Sequence, residues 1–119
     1  MPHLILEYSS NIFEKANLSS LLKKMNEYLS EILPTDLSSC KSRSIEYSDF
    51  FVGNGNPHNA FLHVNLKVLS GRSAEQLHDV GQGLISILKE YFQHSATELN
   101  LQITLEIEEL QKTYFKYVS

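Results

Sequence analysis

A single cysteine, Cys40, stands in the 119 residues of this chain. It has no partner for an internal disulfide, so no disulfide framework is expected and a reducing compartment fits. No signature of a nucleophile surrounds it, and Cys40 reads as a structural residue. Clustered Lys and Arg are also missing. The chain has 10 Lys and Arg against 14 Asp and Glu, for a net charge of -4, without the basic patch that a nucleic-acid surface needs. No run of 18 apolar residues occurs, so no membrane-spanning helix is expected. Residues 1–30 lack a positively charged start followed by an apolar run, so a signal peptide is not expected and the cytoplasm is the expected location. His3, His58, His63, His78 and His94 show no metal-ligand spacing, and no metal is expected.

What the chain does have is an ordinary globular balance, 42% hydrophobic and 20% charged residues, suited to one domain over 1–119. His3–Tyr8 alternates as a strand, with Leu4, Leu6 and Tyr8 on one face and His3, Ile5 and Glu7 on the other. Asn17 is positioned as a helix N-cap. Leu18, Leu21, Leu22, Met25, Leu29, Ile32 and Leu33 then follow at helical spacing until Pro34 stops the helix. A second strand is expected over Ser42–Phe51. The run Gly53-Asn54-Gly55-Asn56-Pro57 is the densest turn signal. Ala60, Leu62, Val64, Leu66 and Val68 give a third alternating strand. Gly71-Arg72 turns the chain, and Ser73 with Gln76 three residues on forms a capping box for a second helix. Its apolar stripe is Leu77, Val80, Leu84, Leu88, Tyr91 and Phe92. Leu99, Leu101, Ile103, Leu105 and Ile107 mark the last strand, and a short tail carries Tyr114, Phe115 and Tyr117.

The order strand, helix, strand occurs twice. At an offset of 60, His3-x-x-Leu6 falls on His63-x-x-Leu66, Ser10 on Ser70, and Ile45-Glu46-Tyr47 on Leu105-Glu106-Ile107. Together these matches point to a duplicated βαβ unit, with halves at about 2–56 and 60–117. An α+β (α/β) fold is expected. Parallel strands within each half join one mixed four-stranded sheet, with both helices on one face. The uncovered face includes Ile5 and Phe61, and self-association is its natural cover.

Pro2 carries the chemistry of interest. Initiator methionine is removed when a small residue follows it, and proline qualifies, so a processed chain would begin with a secondary amine. An α-amino group titrates near ~8 in water. Modest desolvation or a nearby cation brings it toward neutrality, where a general base works best.

The start Pro2-His3-Leu4-Ile5-Leu6-Glu7, followed by Asn11-Ile12, resembles that of the 5-carboxymethyl-2-hydroxymuconate Δ-isomerase family of the tautomerase superfamily. So do Ala60-Phe61-x-His63-x-x-Leu66-Lys67-x-x-x-Gly71-Arg72-Ser73 and Glu106-Ile107-Glu108-Glu109-Leu110. The resemblance runs from residue 2 to about 116, and the middle stretch is the specific one. It implies a homotrimer of duplicated βαβ subunits. It also implies a cofactor-free isomerase acting on an unsaturated dicarboxylate or tricarboxylate, in which the N-terminal proline nitrogen moves a proton between carbons of a conjugated 2-oxo or 2-hydroxy acid.

Such a substrate needs cations for its carboxylates, and arginine offers a planar, bidentate, permanent one. Arg72, in the matched turn at a helix start, is the first candidate, with a surface charge as its bland alternative. Arg43 and Lys41 follow, in Lys41-Ser42-Arg43, where the family usually carries Arg-x-Arg. Phe13 follows Asn11-Ile12 where relatives can carry arginine. Phe115 either lines the pocket or packs between subunits. His63 reads as a structural or interface histidine. Glu7 and Glu106 read as partners for lysine or arginine at subunit contacts. Two alternatives stand beside the isomerase. One is a trimeric binding or structural protein without chemistry. The other is a superfamily relative with other proline chemistry, a dehalogenase or decarboxylase.

Overall fold

The computed structural model describes residues 1–119. Four strands form one sheet in the order β2-β1-β3-β4. They are β1 (His3–Ser9), β2 (Lys41–Tyr47), β3 (Asn59–Val68) and β4 (Asn100–Glu109). β1 and β2 run parallel, as do β3 and β4, and the two pairs meet antiparallel through β1 and β3. Helix α1 (Leu18–Ile32) links the first pair. Helices α2 (Ala74–Tyr91) and α3 (Gln93–Glu98) link the second. The two strand–helix–strand units expected from the 60-residue offset are thus joined in one mixed sheet, with the helices on one face.

Alternation decides which strand residues meet the helices. Leu4, Leu6, Ala60, Leu62, Val64 and Leu66 have no exposed surface. Against them pack Leu21, Met25 and Leu29 from α1, then Val80, Leu84 and Leu88 from α2. Each fully buried leucine favours the fold by about 1.5–3 kcal/mol over an exposed one. No helix is long and apolar enough to cross a membrane.

Several local expectations change. β2 ends at Tyr47 rather than Phe51, because its only partner, β1, runs out at Ser9 opposite Tyr47. Phe51 lies beyond the ladder and is 79% exposed. Asn17 stands at the N-cap of α1, but its side chain makes no capping bond and instead accepts from the Ser19 hydroxyl. At α2 the Ser73 hydroxyl does accept from the Gln76 N–H at 3.1 Å, which supplies one half of a capping box. Helix α3 was not expected at all. The Glu14 carboxylate binds Ser95 within it, accepting from the Ser95 N–H at 3.0 Å and from its hydroxyl.

The uncovered sheet face mixes apolar and polar side chains. Ile5 and Phe61 do lie there, but ladders of polar side chains run between them. On β3 and β4, His63 Nδ1 is 2.7 Å from the Thr104 hydroxyl, Asn65 donates to Glu106 at 3.0 Å, and Lys67 pairs with Glu108 at 3.4 Å. Glu7 accepts from the Tyr47 hydroxyl at 2.9 Å. Within their own chain Glu7 and Glu106 meet neutral donors and His63. Ile45 and Tyr47 add exposed apolar surface to this face, and a second apolar surface lies elsewhere. Leu105 and Ile107 at the β4 edge, with Leu77, Gly81 and Ile85 of α2, line an open groove of about 760 Å³.

Candidate active site

The chain start is held where β1 enters the sheet. Pro2 is buried, and its carbonyl accepts from the Lys41 N–H at 3.1 Å. That bond extends the β1–β2 ladder by one residue and fixes the backbone on which any terminal amine hangs. Burial lowers the pKa of the N-terminal amine, and the charges of Arg72, Lys116 and Lys41 lower it further, against an opposing influence from Cys40. Both effects disfavour the ammonium form. The Cys40 thiol is pushed up by burial, which keeps it protonated and unreactive.

Arg72 is anchored here. Its Nε and Nη2 donate to the Leu33 carbonyl at 3.3 and 3.2 Å, and its Nη1 donates to the Leu69 carbonyl at 3.2 Å. Leu33 is the C-cap of α1, so the guanidinium meets the negative end of that helix. Arg72 is thus a structural clasp whose charge also reaches the N-terminus. An exposed Lys41 on β2 donates from Nζ to the Ser39 carbonyl at 3.1 Å.

Arg43 follows two residues after Lys41 on the same, uncovered sheet face, with Nη1 3.3 Å from His3 Nδ1. The His3 pKa is lowered by burial first, then by Arg43, Lys41, the N-terminus and Lys67. Of the four candidate binding residues, the structure brings Arg72 and Lys41 to the chain start and leaves Arg43 beside His3. Phe115 is 89% exposed and lines a hollow of about 690 Å³ with Lys41, Tyr114 and Lys116. Phe13, where relatives can carry arginine, stacks on His94 with centroids 4.6 Å apart.

Sequence reasoning missed two residues. Lys116 reaches the N-terminus, with Nζ 2.8 Å from Met1 Sδ. Tyr114 bonds His3, its hydroxyl 2.9 Å from Nε2. Both sit in a tail without helix or strand, where no periodicity signals a contact 111 residues away in sequence. No group of three or more His, Cys, Asp or Glu side chains is gathered to hold a metal ion.

The arrangement suits a base held in a half-dry, cationic corner open to an anionic molecule. The family model described as 5-carboxymethyl-2-hydroxymuconate isomerase matches residues 2–118. A 5-carboxymethyl-2-hydroxymuconate Delta-isomerase of Escherichia coli is 34% identical over 113 residues, covering 95% of this chain and 90% of that one. The crystal structure of a 5-carboxymethyl-2-hydroxymuconate isomerase from Deinococcus radiodurans R1 superposes with a TM-score of 0.91 at 27% identity. It covers 99% of this chain and 90% of that one. A fused 4-OT solved as a symmetric trimer shares the fold alone, with a TM-score of 0.66 at 18% identity, covering 90% of this chain and 85% of that one. The chain is therefore an isomerase of tautomerase fold, and it belongs to the 5-carboxymethyl-2-hydroxymuconate isomerase family.

Proposed function

We propose that the processed protein, with Met1 removed, shifts a proton within an unsaturated 2-hydroxy or 2-oxo di- or tricarboxylate of the 5-carboxymethyl-2-hydroxymuconate kind, with the Pro2 nitrogen as the base. The observation that carries this reading is the environment of the chain start: a buried Pro2 next to a Met1 amine whose pKa is lowered by partial burial and by Arg72, Lys116 and Lys41. While Met1 is attached, the Pro2 nitrogen is an amide and has no basicity. Once Met1 leaves, the same burial and the same cations act on a secondary amine one residue further in. That amine is then neutral at a lower pH than in water.

The steps balance without a cofactor. The dienol loses its hydroxyl proton as the carbonyl forms, and a carbon of the conjugated system gains one. Neutral Pro2 takes a proton at one position of the substrate and, as the cation, returns one at the other. Arg72 and Lys41 hold the carboxylates and offset the charge that grows on the oxygen. Arg72 keeps donors free beyond the three it gives to Leu33 and Leu69, since a guanidinium has five. Phe115 supplies an apolar wall. A homotrimer in the cytoplasm is the proposed working form, with Arg43 on the uncovered sheet face free to meet substrate or a neighbouring subunit.

The test is direct. Protein whose intact mass shows Met1 removed should ketonise a 2-hydroxymuconate-type dienol, and light scattering should give three subunits. Turnover absent from fully processed trimer would leave a trimeric binding protein or a relative with other proline chemistry.

A further inference from the structure

The C-terminal tail is tied to the N-terminus by two contacts that the proposed reaction has not used. Tyr114 docks against the first residue of β1, and Lys116, two residues on, reaches across Met1. The direction of the first contact follows from its neighbour. Arg43 can only donate, so His3 Nδ1 accepts from it and the His3 proton lies on Nε2. His3 therefore donates to the Tyr114 oxygen, and the tyrosine keeps its own proton to give. The ring edges support this seating, with centroids 5.9 Å apart at 77°.

Lys116 has no carboxylate partner. Its nearest acceptor is the Met1 thioether, and sulfur of this kind accepts weakly. Lys116 is exposed, so water completes the shell of its ammonium, and removing Met1 frees it from the thioether. The charged and titratable groups around this corner are Arg72, Lys41, Lys116, the Cys40 thiol, His3 with Arg43 and Lys67 near it and, along the hollow, Asp36, Tyr114, Tyr117 and Ser119. Cations outnumber carboxylates there, which suits an anionic visitor.

We propose that Lys116 is a further substrate-binding residue, an ammonium beside the N-terminal amine that takes a substrate carboxylate, with Tyr114 as the positioning residue that seats the tail on His3. This rests on the proline-base reading above. The tail is then part of the site rather than a disordered end. The missing fork of an arginine at Lys41 is offset by a second flexible ammonium lining the same hollow. A point charge on a long stem also tolerates varied carboxylate geometry better than a bidentate pair does, so the site should accept dicarboxylates of more than one length.

The experiment compares processed wild type with Lys116→Gln, Lys116→Arg, Tyr114→Phe and, as a control of equal charge loss on the exposed tail, Lys112→Gln. Lys116→Gln should raise KM roughly tenfold with kcat little changed, the loss of one charge-assisted contact to the bound acid. It should also raise the pKa of Pro2 measured by nitrogen NMR, because a neighbouring cation has gone. Lys116→Arg should keep KM near wild type, Tyr114→Phe should move both quantities less and in the same direction, and Lys112→Gln should move neither. A Lys116→Gln enzyme with wild-type KM overturns the carboxylate role whatever its pH profile. If processed wild type does not turn over the dienol, the isomerase reading fails separately. The Pro2 titration, which needs no substrate, then decides the tail by itself, and an unchanged value in Lys116→Gln overturns its seat beside the amine.

Discussion

The guanidinium of Arg72 grips the carbonyl of Leu33 with two donors, Nε at 3.3 Å and Nη2 at 3.2 Å. Leu33 ends α1 and Arg72 precedes α2, so one side chain joins the termini of both long helices and still lends its charge to the chain start. This double duty predicts a double loss. Arg72→Ala should lower stability by about 1–2 kcal/mol through the lost charged hydrogen bonds, read as a lower urea midpoint. It should also raise KM for the dicarboxylate roughly tenfold. Unaltered KM in folded Arg72→Ala would leave the residue a clasp only.

Pro2 predicts a pH profile. Burial and three cations lower the pKa of the Met1 amine, the same surroundings meet the Pro2 amine once Met1 is removed, and the base works only without its proton. Activity should therefore fall on the acid side, with a midpoint below that of an ordinary α-amine. Pro2→Ala should cut kcat/KM by about 100-fold or more while the oligomer persists. Protein retaining Met1 should be inactive, because an amide nitrogen cannot serve. Equal rates for retained and processed forms, separated by mass, would remove Pro2 from the reaction.

The fold was legible because its signals repeat. β4 alternates over ten residues, and a 60-residue offset carries β1 onto β3 and β2 onto β4. What escaped was set by partners rather than by pattern. Ser48–Phe51 looks no less like strand than Lys41–Tyr47, but β1 ends and leaves it nothing to pair with. The segment Gln93–Glu98 has no apolar stripe, and Glu14, 81 residues earlier, holds Ser95 within it. At the site, Pro2 and Arg72 stood out by chemistry and motif. Lys116 and Tyr114 did not, because a tail contact leaves no period in the sequence.

His3 predicts a stability slope in acid. Its pKa in the folded chain is lowered, chiefly by burial and then by Arg43. The unfolded imidazole takes its proton near its ordinary value of about 6.5. Between those two values the unfolded chain binds more protons, so stability rises with pH there. The contribution is whole above the unfolded pKa, shrinks as pH falls toward the folded one, and is gone below it. Protonation also converts Nδ1 from acceptor to donor and breaks its bond with Arg43. His3→Asn should flatten the change in urea midpoint between about pH 7.5 and pH 5 relative to wild type. An identical slope in the variant would remove His3 as its source.

Gly83 predicts a packing limit where α1 and α2 meet. A methyl group at this position would enter the van der Waals shell of the Tyr28 hydroxyl and ring. That hydroxyl is committed, 3.3 Å from the carbonyls of both Asp79 and Val80, so it yields only by giving up those bonds. Alanine is the better helix former by about 0.5–1 kcal/mol, which opposes the clash. Overpacking of about 1–3 kcal/mol outweighs that gain, and Gly83→Ala should lower the urea midpoint without touching the chain start. Tyr28→Ala should open the space, so that Gly83→Ala added to it becomes neutral or stabilising. The difference between the two backgrounds is the coupling of the pair. A destabilisation equal in both would mean that something other than Tyr28 excludes the methyl group.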